Sequence, residues 1–290
     1  MSSCNSQSEP IESERSPKKT GALLVVGTGI QWGGQTTLAA QRAIQRADRV
    51  LFAVADPWAA RWIRTLNRNS ESLPYPRDGR ARRTIYREMT EKIVSVLQQG
   101  GNLCVAFYGS PALLARSAHS AIREARKAGY SAAMLPGVSS LDCLGADMGV
   151  DLGEQGVQIF EATDFLLRRR TIDVHAHLVL CQIALIGNAG TFDGDPRRIE
   201  YALRLLRNRL LETFPATHSA YLYEAPAHPA SQTRIERITV HQLADASVRE
   251  ISTLCVPPLC EAPIDRHMAE LLANLPSEAD ARPSESTSIL

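Results

Sequence analysis

Residues 105–114, VAFYGSPALL, and residues 129–151, GYSAAMLPGVSSLDCLGADMGVD, decide the fold. The first closes an apolar run, residues 103–107, that ends abruptly in Tyr108-Gly109-Ser110-Pro111. Small residues and a proline after a buried strand let backbone approach a ligand closely, because Gly109 has no Cβ and Pro111 fixes its φ. A helix is expected over residues 112–128, stopped by Gly129, and a second strand over 131–135, closed by Pro136-Gly137-Val138-Ser139-Ser140. Strand, small-residue turn, helix, strand and turn is the pattern of a parallel α/β sheet, which takes ligands at the carboxyl ends of its strands. Two such turns at one edge predict a pocket.

Composition narrows the function classes. The chain has 290 residues, 44% of them hydrophobic, enough for two domains with sizeable cores. A net charge of +1 gives no general attraction to nucleic acid or to an anionic membrane. No apolar run reaches the ~18 residues of a membrane span, and the N-terminus is too polar for a signal peptide. The six cysteines are scattered without a CxxC pair, so neither a metal site nor a disulfide framework is expected. These features read as a cytoplasmic protein.

Along the chain, residues 1–20 form a polar tail expected to be disordered. A first strand, 22–26, ends in Gly27-Thr28-Gly29, half of a dinucleotide fingerprint that lacks its third glycine. Thr36 or Thr37 caps a helix over 38–47, a strand covers 49–53, and a helix covers 58–67. Residues 73–89, LPYPRDGRARRTIYREM, hold two prolines, a glycine and five arginines ahead of a helix that continues to about residue 99. Arg82 and Tyr86 lie four apart and share a helix face, with Tyr75 just upstream on a loop that could fold over them. Beyond Asp151 the expected elements are a strand at 157–160, a short basic segment at 165–170 and an apolar run at 176–186. An amphipathic helix at 197–213, a strand at 219–223, a short helix from 239 and a strand at 250–256 follow. Gln182 is the neutral polar side chain inside the apolar run, so it needs a hydrogen-bond partner, backbone or ligand. Two α/β domains, 21–145 and 146–260, follow, with a short helix and polar tail over 261–290 and a ligand cleft between the domains.

GTG after the first strand, YGSP after the third, and PGVSS before a small-residue helix resemble the tetrapyrrole methylase superfamily. That resemblance implies two α/β domains with S-adenosyl-L-methionine bound in the cleft between them. MLPGVSSLDCLGADMGVD, FEATDFLLRRRTIDVHAHLVLCQI and EISTLCVPP are similar to the borosin peptide α-N-methyltransferases, which methylate backbone amides of a precursor peptide. Fused members carry the peptide on the same chain; the polar tail here lacks an apolar core and implies a separate precursor. By position, the resemblance implies catalytic roles for Arg82 and Tyr86. Pro76 occupies the place of a further loop tyrosine, and Tyr75 beside it is the substitute. Cofactor contacts are implied for Tyr108, Ser110, Leu113, Ser139, Ser140, Gln182, Tyr221, Leu222, Ser252 and Thr253, with Ser110 standing where fused members have histidine. The resemblance also implies a homodimer.

The chemistry is consistent with those residue types. An amide nitrogen delocalises its lone pair, so it must lose its proton while charge on its oxygen is stabilised. Tyr86 is the candidate base, and the permanently charged Arg82 would stabilise negative charge on the phenolate and on the developing oxyanion. Read from spacing alone, Tyr86 is equally a core tyrosine and Arg82 a surface charge. Two other functions fit the same frame: a corrin or porphyrin C-methyltransferase, for whose carboxylates residues 77–87 supply arginines, and an inactive peptide-binding module.

Overall fold

The computed structural model describes residues 20–54, 56–75, 80–188, 194–228 and 230–275. Residues 1–19 and 276–290 of the two expected tails lie outside them, as does Pro76.

The N-terminal half runs β1 (Ala22–Gly27), α1 (Leu38–Arg46), β2 (Arg49–Ala53), α2 (Pro57–Leu66), β3 (Ser70–Ser72), α3 (Arg82–Gln98), β4 (Asn102–Phe107), α4 (Arg116–Lys127), β5 (Ser131–Leu135) and α5 (Ser140–Met148). The strands form a parallel sheet in the order β3-β2-β4-β1-β5. Helices cover both faces, so the central strands are apolar throughout rather than alternating. Leu23, Val25, Leu103 and Val105 pack under α3 and α4, while Val26, Cys104 and Ala106 pack under α1 and α2. Thr37 caps α1 by accepting from the Ala40 N–H, and Asp56 caps α2 with Pro57 at its first turn.

Two differences from the sequence reading have local causes. The helix expected from residue 112 begins at Arg116, because Leu114 takes a left-handed φ of 56° that helical backbone excludes. The three-residue β3, Ser-Glu-Ser, carries no apolar pattern; pairing with β2 at the sheet edge makes it a strand.

The C-terminal half holds β6 (Val157–Glu161), α6 (Ala162–Leu167), β7 (His177–Cys181), α7 (Pro196–Leu211), β8 (Ser219–Glu224), β9 (Arg234–Thr239), β10 (Thr253–Val256) and α8 (Arg266–Ala273). Their sheet runs β6-β7-β10-β8-β9, parallel only between β6 and β7. Glu161 caps α6 through the Asp164 N–H, which turns the expected basic segment into a helix starting three residues earlier. β9 went unforeseen because RIERIT exposes most of its charged residues along an edge. The strand expected from residue 250 begins at Thr253, since the Ser252 N–H donates to the Arg249 carbonyl in a turn.

That turn is tied to a buried carboxylate. Glu224 is 2% exposed; it accepts from the Ser252 hydroxyl at 2.5 Å and from Arg234 Nη1 at 2.8 Å, and it pairs with Arg249. Burial alone would raise its pKa, but the Ser252 and Arg249 hydrogen bonds and the arginine charges together hold it below the ordinary 4.5. A depressed folded value contributes stability above the unfolded pKa, and that contribution is lost as pH falls through the folded one. Glu224→Gln is therefore expected to lower the melting temperature at pH 7. The deficit should shrink as both proteins are melted at successively lower pH below 4.5, and a constant deficit would show that charge is not its source.

The halves meet across an apolar cluster in which Ile30, Cys143 and Leu144 pack with Val179, Cys181, Tyr223 and Cys255. The Tyr223 hydroxyl donates to Asp147 Oδ2 at 2.7 Å across the same junction.

Candidate active site

The three motif turns converge at the carboxyl ends of β1, β4 and β5. Gly29 and Gly109 exchange backbone hydrogen bonds of 3.1 and 2.9 Å. A Cβ on Gly27 would lie 2.4 Å from the Gly109 carbonyl oxygen and 2.8 Å from the Gly137 Cα. Only glycine permits so close a crossing of backbones. GTG, YGSP and PGVSS are thus parts of one knot, which presents Tyr108 on one side and the start of α5 on the other. Gly33 and Gly34 are exposed with open space around them, and neighbouring Trp32 donates its indole N–H to Asp56 at 2.9 Å. The Gly27–Gly34 loop is therefore a tied βα turn rather than a completed dinucleotide fingerprint.

Beside the knot lies a cleft of about 160 Å³, lined from the first half by Tyr108 and Ser140 and from the second by Cys181, Gln182, Tyr223, Ala225, Glu250, Ile251 and Thr253. Of the residues expected at a cofactor, Tyr108, Ser140, Gln182 and Thr253 line it. Tyr221 packs half-buried on the cleft side of its sheet with Tyr223. Ser110 sits at the knot, where its hydroxyl accepts from the Gly137 N–H at 3.4 Å, and Leu113 continues that turn by donating its N–H to the Ser110 carbonyl.

Three further residues expected at the cofactor have side chains engaged within the protein. Leu222 points to the opposite face of its sheet and is buried with Leu206 and Leu210, as strand alternation requires. The Ser252 hydroxyl is spent on Glu224 and on the Arg249 N–H. Ser139 caps α5 in a reciprocal box with Asp142. Sequence reasoning missed Cys181, Tyr223, Ala225, Glu250 and Ile251. Tyr223 could have been found from Tyr221 by the two-residue period of a strand; Glu250 and Ile251 sit in a turn without such a signal.

Burial pushes the Tyr108 hydroxyl up to about 12, helped by nearby Cys143, and pushes the Cys181 thiol up to about 11. Neither is a base or a thiolate nucleophile at neutral pH. The lining as a whole offers aromatic and aliphatic walls together with an amide, hydroxyls and one carboxylate. Apolar walls with a few convergent polar groups are the make-up of a small-molecule site.

Arg82, Tyr86 and Tyr75 come together at the edge of this cleft. Arg82 and Tyr86 project from the first two turns of α3, both half-buried, and Tyr86 packs partly against the core under α3. The rings of Tyr75 and Tyr86 have centroids 6.3 Å apart and are tilted by 35° to one another. The Arg82 guanidinium donates through Nη1 to Gln182 Oε1 at 3.3 Å, joining the cluster to the cleft. Burial first, then Tyr86 and Glu250, raise the Tyr75 pKa, and Arg82 opposes them only in part. Tyr75 therefore keeps its proton at neutral pH. Among the described residues no group of three or more metal-ligating side chains occurs, and no helix is long and apolar enough to cross a membrane.

The family profile of tetrapyrrole (corrin/porphyrin) methylases matches residues 22–243. Among curated relatives, the methyltransferase/ribosomally synthesized cyclic peptide dendrothelin A precursor of Dendrothele bispora is 34% identical over 268 residues, covering 89% of this chain and 63% of its own length. The corresponding type III borosin precursor of Anomoporia bombycina is 38% identical, with 88% and 30% covered. The omphalotin A precursor of Omphalotus olearius is 35% identical, with 83% and 58% covered. The chain thus spans between about a third and two thirds of these relatives. Among solved structures, uroporphyrin-III-C-methyltransferase from Thermus thermophilus superimposes with a TM-score of 0.57 at 21% identity, over 82% of this chain and 92% of that one. The methyltransferase CobJ gives 0.55 at 14% identity, over 84% and 97%.

Proposed function

The chain belongs to the tetrapyrrole (corrin/porphyrin) methylase family, and from that membership we propose that it is an S-adenosyl-L-methionine-dependent methyltransferase acting on backbone amides of a ribosomally made peptide. The observation that carries this reading is the Arg82–Tyr86–Tyr75 cluster at the cleft edge, joined to it through Gln182. The names of the curated relatives, methyltransferases joined to cyclic-peptide precursors, support the substrate class.

Tyr108, Ser140, Gln182, Tyr221 and Thr253 would hold the cofactor, with Ser110 and Leu113 shaping the adjoining turn. Bound there, S-adenosyl-L-methionine supplies a methyl group on a sulfonium, an electrophile already activated. The burden on the protein is the amide. Tyr86, as its phenolate, takes the amide proton and returns to the neutral phenol. Tyr75 donates to that oxygen and so steadies negative charge on it. Arg82 faces the amide oxygen, where charge accumulates as the proton leaves. The knot of glycine turns fixes the cleft wall against which the peptide is aligned.

The reading includes a precursor supplied as a separate chain and a homodimeric enzyme. The test is co-expression with small open reading frames beside the gene, followed by intact mass and fragmentation. Methylene-sized mass steps on backbone amides of the small peptide are expected, with light scattering showing a dimer. Methylation of a supplied tetrapyrrole instead would overturn the substrate. Peptide binding without mass gain in the presence of cofactor would mark an inactive binding module.

A further inference from the structure

We propose that Gln182 is a positioning residue: its neutral amide oxygen holds the Arg82 guanidinium at the cleft wall without cancelling its charge. This rests on the reading of Arg82 as the group that faces the amide oxygen, and it adds a role that cofactor contact alone does not give Gln182.

Three observations support it. The contact crosses the molecule: Arg82 opens α3 in the first half, and Gln182 closes β7 in the second. Gln182 also holds a left-handed backbone, φ 61° and ψ 38°, a conformation that non-glycine residues rarely adopt. The cleft is where that outlier aims its side chain.

The third observation concerns charge. Three basic residues on and beside α3 pair with carboxylates: Arg80 with Glu88 at 2.7 Å, Arg87 with Glu91 at 3.6 Å and Lys92 with Glu71 at 3.1 Å. Arg82 instead meets an amide. The first turn of α3 holds no acidic residue, and its cap Ala81 has no side-chain hydrogen bond. The amino end of a helix repels a cation, so local structure gives Arg82 neither neutralisation nor orientation. A carboxylate at position 182 would orient the guanidinium but quench its field and oppose a developing oxyanion. An amide accepts one of the five guanidinium N–H bonds and leaves the charge intact.

The test compares wild type with Gln182→Glu and Gln182→Leu. Each is first shown to melt cooperatively and to bind cofactor by calorimetry. Gln182→Glu should transfer methyl more slowly by about 10- to 100-fold, the scale set by losing stabilisation of a developing charge. Its rate relative to wild type should climb towards one as pH falls and the carboxyl protonates into an amide-like acceptor. Gln182→Leu should be slowed at every pH. An independent readout needs no peptide: phenylglyoxal modification of Arg82, mapped by mass spectrometry. It should run several-fold faster in Gln182→Leu and remain slow in Gln182→Glu. Equal modification in all three proteins would overturn the proposal whatever the substrate proves to be. A pH-independent ratio near one for Gln182→Glu would overturn the charge argument. Normal protection of Arg82 in a protein that methylates no peptide would instead fault the functional reading and leave the clamp standing.

Discussion

Replacing Tyr86 by phenylalanine should reduce peptide methylation by a factor on the order of 10²–10⁴, the usual contribution of a positioned general base. The substitution removes one oxygen and little else. The Tyr86 ring packs partly against the core under α3 and lies beside Tyr75, and phenylalanine preserves both contacts. Melting temperature and cofactor affinity should therefore stay near wild type, so that a loss of rate reports chemistry. Single-turnover mass spectrometry with preloaded cofactor separates this from binding: kcat and kcat/KM should fall together. Tyr75→Phe should have the smaller effect, because Tyr75 retains its proton and supports the base without receiving the amide proton. Undiminished turnover in Tyr86→Phe would remove Tyr86 from the mechanism. A larger loss in Tyr75→Phe would exchange the two roles.

The parallel sheet was legible because its signals are local. Strand β4 is followed by Tyr108-Gly109 and β5 by Pro136-Gly137, and buried two-faced strands read as apolar runs. The edge strands β3 and β9 were not, since Ser-Glu-Ser and RIERIT expose polar side chains at sheet edges. The site divides in the same way. Arg82 and Tyr86 could be placed on one helix face from their spacing, and Tyr108 and Ser140 from their turns. The partner of Gln182 could not, because it lies 100 residues away on the opposite half. Ser139 and Ser252 show the converse. Each has a polar side chain beside the cleft wall, yet one caps a helix and the other donates its hydroxyl hydrogen to the buried Glu224. Residue type and position alone do not separate a ligand contact from a structural hydrogen bond.

Arg82 is the residue at which function and stability should pull apart. A cation in the first turn of a helix with no acidic neighbour opposes the helix dipole, by about 0.3–1 kcal/mol when exposed. Arg82→Gln removes that repulsion, so the variant should melt at or above the wild-type temperature. Its methyl transfer should nonetheless fall by about 10²–10³ in kcat, the loss found when a preorganised oxyanion donor is removed. Arg82→Lys sharpens the argument. Lysine keeps the charge but replaces a planar fork with a point donor on a flexible stem, so holding Gln182 and facing an oxyanion at once becomes difficult. Its rate should lie between wild type and Arg82→Gln. If lysine restored full turnover, charge alone would suffice and the geometry at Gln182 would be incidental. If Arg82→Gln lost stability together with activity, the arginine would be a structural strut between the halves rather than a group retained for chemistry. A stable, inactive Arg82→Gln with a partly active Arg82→Lys requires both the charge and its orientation, which is what an unneutralised arginine on an amide tether supplies.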